Sequence, residues 1–185
     1  MYSGSVSPTP RWYWISAIWL GIGLFDATQT VVVMRSEGMH HAWTALFFAT
    51  LLSWATWALA TPFVIRIGNR YPLSRSRPGN WLIHLVTCLA TGGVYAAWTA
   101  GLERVLNPWT PSAAPGPFLQ LWLSKFTNSI VAFSFLYGTI LLIGHVLDSR
   151  ERLARQQMET ARLNEQLSQA QLNALRRQIE PHFLF

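Results

Sequence analysis

Few residues in this chain of 185 have side chains suited to chemistry, and the most distinctive group stands at its end. There Pro181 precedes His182, followed by the apolar run Phe183-Leu184-Phe185. Pro181 removes a backbone N–H and collides with the carbonyl of Arg177, so a helix bends at this point. An imidazole at such a bend is partly exposed while its neighbours are held. That suits a nucleophile that must meet a phosphoryl donor in line. The alternative is a plain helix end carrying a surface histidine.

A second candidate is Asp26, in the apolar stretch GLFDATQT with Thr28, Gln29 and Thr30 beside it. A carboxyl among lipid-facing residues is costly and turns toward a bundle interior, either as a sensing group or as a hydrogen-bonded packing residue. The packing role is the expected one, with sensing as the alternative. His40 and His41 adjoin each other near Glu37, but a metal site draws on three or four converging ligands, so a solvated loop is expected there and no metal site. His84 and His145 lie near one membrane face by chain direction. They could serve as two axial ligands of a haem, but no haem motif accompanies them, and they are read as interfacial residues that snorkel. No GxGxxG, GxxxxGK[ST], HExxH or GxSxG pattern occurs.

The elements that must position these residues follow from composition. The chain is 51% hydrophobic and 12% charged, against about a quarter charged in ordinary soluble domains. Eleven charged residues fall in 1–147 and another eleven in the last 38, while all ten Trp lie before residue 148. Lipid is the implied solvent of the first part and water of the second. The single Cys88 has no partner in the chain, which excludes a disulfide-stapled secreted domain. Four apolar stretches, at about 12–34, 42–65, 81–102 and 126–147, each meet the length of about 20 residues that a membrane-crossing helix needs. They are apolar nearly all round, unlike surface helices with one polar face.

Arginine placement orients them. Arg66, Arg70, Arg75 and Arg77 lie in the second connection with no acid, and Arg150, Arg152 and Arg155 follow the fourth span. Arg35 and Arg104 are the only basic residues of the other two connections. Cytoplasmic loops collect Lys and Arg, so both termini are expected in the cytoplasm. The basic pI of about 10.2 then reflects membrane topology and anionic lipid headgroups, with no nucleic-acid partner. Trp12, Trp14, Trp43 and Trp81 read as interfacial anchors. The first span is read as an uncleaved anchor. Pro62 is expected to kink the second span, with Thr61 serving a freed backbone group. The Pro-rich 107–117 connection is expected to be irregular.

From 145 to 180 there is neither Gly nor Pro, and the residues are strong helix formers. A cytoplasmic helix continuing the fourth span is expected. Leu153, Leu163, Leu167, Ala170 and Ala174 fit one heptad phase, and Met158, Leu172, Leu175 and Ile179 another. Such a phase shift is a stutter. One helix cannot bury its own seam, so a parallel homodimeric coiled coil is expected, the alternative being a loosely packed solvated helix.

Residues 172–185, LNALRRQIEPHFLF, resemble the phosphoacceptor segment of the LytS-type sensor histidine kinases, the "histidine kinase internal region" class. In that family a leucine-patterned helix runs into Gln-x-x-Pro-His-Phe-Leu-Phe. Gln178, Pro181, His182, Phe183, Leu184 and Phe185 match in order. The four-span half is similar, less specifically, to four-span sensors of the family.

The resemblance implies an all-α protein with three parts. They are a four-helix transmembrane sensor bundle (1–147), a signalling coiled coil (148–180) and the start of the phosphoacceptor segment (181–185). It implies a bacterial inner-membrane protein-histidine kinase, autophosphorylated at His182, that passes the phosphoryl group to a cytoplasmic response regulator. The family's following Asn, second dimerisation helix and ATP-binding domain are not within these residues. ATP and Mg are therefore expected in a longer protein only, and this chain alone is expected to be inactive. The alternative is a non-enzymatic, membrane-anchored coiled-coil scaffold. A third reading is a small membrane cytochrome using His84 and His145. The short connections argue for sensing within the bilayer or through a partner membrane protein.

Overall fold

The computed structural model describes residues 11–73, 78–109 and 116–179. All of its regular structure is helical: α1 Arg11–Ser36, α2 Trp43–Ser53, α3 Ala55–Arg70, α4 Pro78–Leu106 and α5 Phe118–Ile179. Four stretches are long and apolar enough to cross a membrane: Trp12–Ser36, Trp43–Arg70 (α2 and α3 together), Pro78–Leu106 and Phe118–Arg176.

The ends of these helices follow from local chemistry. The C-terminus of α1 is closed by Gly38, whose φ of 74° suits a residue without a Cβ. Its N–H bonds the Arg35 carbonyl at 3.2 Å while the Met39 N–H reaches the Met34 carbonyl at 3.1 Å. This is a Schellman closure. Pro78 opens α4, where its missing N–H costs nothing and its fixed φ suits the first turn. The Pro117 carbonyl accepts the Leu121 N–H at 3.1 Å and starts α5. The fourth span therefore begins at Phe118, a full two turns before the expected 126, and Lys125 lies inside the helix. The apolar run Phe118–Leu123 is helix-compatible, and the Lys125 charge is matched by Glu103 on α4 at 2.6 Å.

The chain divides into two compact units, one up to Leu142 and one from Ile143 onward. In the first, Trp19, Trp57, Val64, Cys88, Phe133, Tyr137 and Ile140 form the core. Between α4 and α5, a Cβ on Gly92 would stand 2.6 Å from the Phe133 ring. Only a residue without a side chain lets those helices close so far. Outward-facing Leu20, Phe25, Leu59, Leu85, Val131 and Phe135 are all more than half exposed. Apolar exteriors of that extent are what a lipid solvent accepts and water does not.

The second unit is described by its part of α5, 143–179. Leu153, Met158, Leu163, Leu167, Leu172 and Leu175 are each more than half exposed along it. Asp148–Arg152 at 2.9 Å and Glu151–Arg155 at 3.9 Å are exposed i,i+4 pairs, each worth a few tenths of a kcal/mol.

The break in the second span falls at Trp54, between α2 and α3, and Pro62 lies inside α3. The expected role of Thr61 as partner of the backbone group freed by Pro62 is not met. The Thr61 hydroxyl donates to the Trp57 carbonyl at 2.7 Å, whereas the carbonyl that Pro62 deprives of a donor is that of Ala58. Tertiary partners set the break. The Trp54 N–H turns to Leu51 at 3.3 Å, and the Leu52 carbonyl accepts the Trp98 indole N–H from α4 at 2.8 Å.

Candidate functional site

Three polar constellations stand in or beside the apolar bundle, each tying elements far apart in sequence. The first is centred on Asp26. Its Oδ2 accepts the Trp54 indole N–H at 2.9 Å, so a carboxylate of α1 is bonded to the residue that interrupts the second span. The Trp54 ring stacks on Trp19 with centroids 5.6 Å apart, and Trp19 stacks in turn on Trp57 at 6.2 Å. The Trp19 indole N–H donates 2.8 Å to Thr61, and Trp57 meets Tyr95 of α4 at 6.0 Å. Asp26 is half-buried in this setting. The sequence drew attention to Asp26 but not to its partners. Trp12, Trp14, Trp43 and Trp81 read as boundary anchors in the sequence, a role that fits the exposure of Trp12, Trp14 and Trp81, and no role is legible there for Trp19, Trp54 or Trp57. Trp19 and Trp57 are core residues.

The second constellation is a fork at His84, which is only 6% exposed. Its Nε2 lies 2.8 Å from the Tyr71 carbonyl, and its Nδ1 lies 2.9 Å from the Tyr137 hydroxyl. A carbonyl can only accept, so Nε2 carries the hydrogen, and in the neutral ring Nδ1 accepts from Tyr137. Nearby, the Asn80 amide donates to the Pro72 carbonyl at 2.8 Å. Together these bonds fasten the end of α3, the first turns of α4 and the middle of α5. His84 is therefore a buried structural link, which corrects its reading as a snorkelling interfacial residue. Both ring nitrogens are engaged, so neither offers a lone pair to a haem iron. His145 is exposed.

The third constellation joins the first and third connections. His41 Nδ1 bonds the Trp109 carbonyl, and its ring meets Trp43 and Trp109 edge-on, with centroids 5.8 and 5.6 Å away. The Ala42 N–H donates to the Pro108 carbonyl at 3.2 Å. Lys125 stands 5.5 Å from the Trp109 ring centre while paired to Glu103. His41 is thus wedged between two indoles, not solvated as expected, whereas Glu37 and His40 are exposed. Among the described residues no three of His, Cys, Asp or Glu converge as metal ligands would.

An apolar groove of about 420 Å³ runs between α3 and α4, lined by residues including Thr56, Leu59, Phe63, Thr91 and Trp98. Among the described residues no buried side-chain nitrogen or oxygen lacks a hydrogen-bond partner.

Of the other expected site residues, Gln178 is within α5, but its side chain lies outside the described residues. Pro181, His182, Phe183, Leu184 and Phe185 lie outside them too, as do Arg75 and Arg77. Over the described residues, fold and site together define an all-helical protein with four helices fit to cross a membrane. Compared with known protein families, curated proteins and solved structures, the chain finds no match.

Proposed function

We propose that the chain is the membrane input half of a bacterial two-component sensor histidine kinase of the LytS type, with His182 as phosphoacceptor. The observation that carries this is the run of α5 as a single helix from Phe118 to Ile179. It begins in the apolar bundle and arrives, with no break, at the segment whose order Gln178-x-x-Pro181-His182-Phe183-Leu184-Phe185 resembles the family's phosphoacceptor motif. A helix of that kind transmits rotation, axial shift or a change of register, and a coiled-coil stutter supplies two packings between which to switch.

In this reading the protein sits in the inner membrane with both termini in the cytoplasm, as arginine placement favours. Two copies pair through the cytoplasmic seam, and anionic lipids meet the basic connection after α3. The signal alters the packing of the four spans, among them the junction where Asp26 bonds Trp54 at the break in the second span. His182 then gains or loses access to an ATP- and Mg-binding domain carried elsewhere in the full-length protein. A response-regulator aspartate takes the phosphoryl group.

The test is acid-labile labelling from ATP of the full-length gene product in membranes. His182→Gln is expected to abolish the label and leave dimerisation intact. Retained labelling rejects the assignment, and a dimer that never labels favours a scaffold.

A further inference from the structure

We propose that the groove between α3 and α4 seats one acyl chain of an anionic phospholipid whose phosphate lies on Arg66 and Arg70. Two ridges wall the groove, Ala55, Leu59 and Phe63 from α3 and Ala90, Val94 and Trp98 from α4. Spacings of four and eight residues keep each set on one helix face. Ala55 and Ala90 leave the space, while Leu59, Phe63 and Val94 stand more than half exposed beside it. Its volume of about 420 Å³ is that of a small-ligand site, about 300–1,000 Å³. Nine residues line it, against about 20–30 on each side of a stable protein interface. The Thr91 hydroxyl hydrogen is spent on the Thr87 carbonyl at 2.8 Å, and the Trp98 indole N–H on the Leu52 carbonyl. Thr56 supplies the one other side-chain donor of the wall. Such a lining suits plain hydrocarbon better than a ring with oxygens to satisfy, such as a quinone.

Depth separates the chain from its headgroup. Residues 55–63 fall in the middle of the apolar stretch Trp43–Arg70, and 90–98 in the middle of Pro78–Leu106. From the groove the same face of α3 runs on to charge. Arg66 and Arg70 follow Leu59 and Phe63 by seven residues each, two helical turns, so Arg70 stands about 10 Å beyond Phe63 along the axis. Both arginines are exposed, and among the described residues no Asp or Glu pairs with either. The Arg70 guanidinium lies 5.8 Å over the Tyr71 ring. Guanidinium groups match phosphate with two parallel hydrogen bonds, and basic pockets between membrane helices take anionic headgroups. A zwitterionic lipid would bring its own ammonium against the arginines, so the anionic one is preferred. The site needs only that α3 leaves the bilayer at its arginines, and it stands or falls apart from the kinase reading.

The experiment uses the full chain in nanodiscs of mixed phosphatidylglycerol and phosphatidylcholine, one or the other carrying a mid-chain diazirine as the probe. After illumination, labelled residues are mapped by mass spectrometry. The phosphatidylglycerol probe is expected to label Leu59, Phe63 and Val94 about tenfold more than the phosphatidylcholine probe, a preference that two arginines near the surface allow. Leu20, Val131 and Phe135, on other apolar faces, should label alike from both. Arg66→Gln with Arg70→Gln should erase the preference. Ala60→Phe, which fills the groove from its own wall, should remove the label from Leu59 and Val94 with either probe. If Ala60→Phe does not fold, the exposed arginine pair still decides. Equal labelling of the groove by both probes, or a preference that survives loss of both arginines, overturns the proposal. So does a preference abolished by added inorganic phosphate, which would mark a site for a free anion. A groove shielded from both probes, with Leu59→Cys cross-linking two chains in a Cys88→Ser background, would assign it to a second copy and overturn it too. Neither ATP nor His182 enters, so failure here leaves the phosphoacceptor assignment untouched, and loss of that assignment leaves these readouts intact.

Discussion

The indole N–H of Trp54 is bonded at 2.9 Å to the carboxylate of Asp26, and Trp54 is also the residue at which the second span stops being one helix. A polar group in a bilayer must find its partner inside the protein. Here the acid of α1 finds it at the break, so the packing of α1 and the geometry of the α2–α3 junction are one structural fact. Trp98 completes the junction by donating to the Leu52 carbonyl at 2.8 Å.

Trp54→Phe is therefore expected to lower stability more than Asp26→Asn, which retains an oxygen acceptor. In a double-mutant cycle the pair should show a coupling near the range found in membranes, about 0.6–1.7 kcal/mol. Reversible unfolding in mixed micelles measures it. If Asp26 senses the signal, Asp26→Asn also changes the output of the full-length protein without loss of folding, and an unchanged dose response leaves it a packing residue.

Gly92 of α4 faces the Phe133 ring of α5. A methyl group at Gly92 would stand 2.6 Å from a ring that is only 1% exposed. Gly92→Ala should thus destabilise the bundle by about 1–3 kcal/mol, the usual cost of overpacking. Adding Phe133→Leu should return part of the loss. Gly21 and Gly101 have nothing within 4 Å of the same added atom, and their alanine variants should unfold as the parent does.

The two kinds of information in the sequence differ in range. Four helices fit to cross a membrane were legible because a lipid solvent demands apolar residues on every side, and charges at their ends gave approximate limits except for the fourth, which runs past Lys125 back to Phe118. The unbroken helix after 145 was legible from the absence of Gly and Pro. The Trp54 break was not, since Pro62 is the only local breaker in sight and the real cause is a donor on α4 and an acceptor on α1. The same holds for His84, 53 residues from Tyr137, and His41, 68 residues from Trp109. Spacing along one helix carries no trace of such pairs, so His84 looked like an interfacial residue and His41 like part of a solvated loop. The expected phosphoacceptor His182 lies outside the described residues.

His84 holds three elements through two bonds, and the variants should separate them. Tyr137→Phe removes the hydroxyl that faces Nδ1 and leaves a buried nitrogen without its partner, at a cost of about 1–3 kcal/mol. His84→Ala removes both bonds and opens a cavity, so it should cost more and should also release Tyr71. Increased exchange at the α3 terminus in His84→Ala but not in Tyr137→Phe would show that the two arms act separately. Purified protein should show no haem absorption in the visible, since Tyr71 and Tyr137 already occupy the His84 nitrogens.

Nothing among the described residues covers the exposed leucines of the second unit's part of α5. Leu153, Leu163 and Leu167 are 55–58% exposed, and a solitary helix gains nothing from such an apolar seam. A second copy laid parallel would bury it knobs-into-holes. In a Cys88→Ser background, Leu167→Cys sits at a seam position, where facing Cα atoms come within disulfide range, while Gln169→Cys points away. Mild oxidation is expected to cross-link Leu167→Cys rapidly at protein concentrations where Gln169→Cys stays monomeric on a denaturing gel. Leu163→Asp should abolish the cross-link by placing a charge in the same seam. Equal, slow cross-linking at both sites would mean that the helix is solvated and unpaired, and the dimer would fall with it.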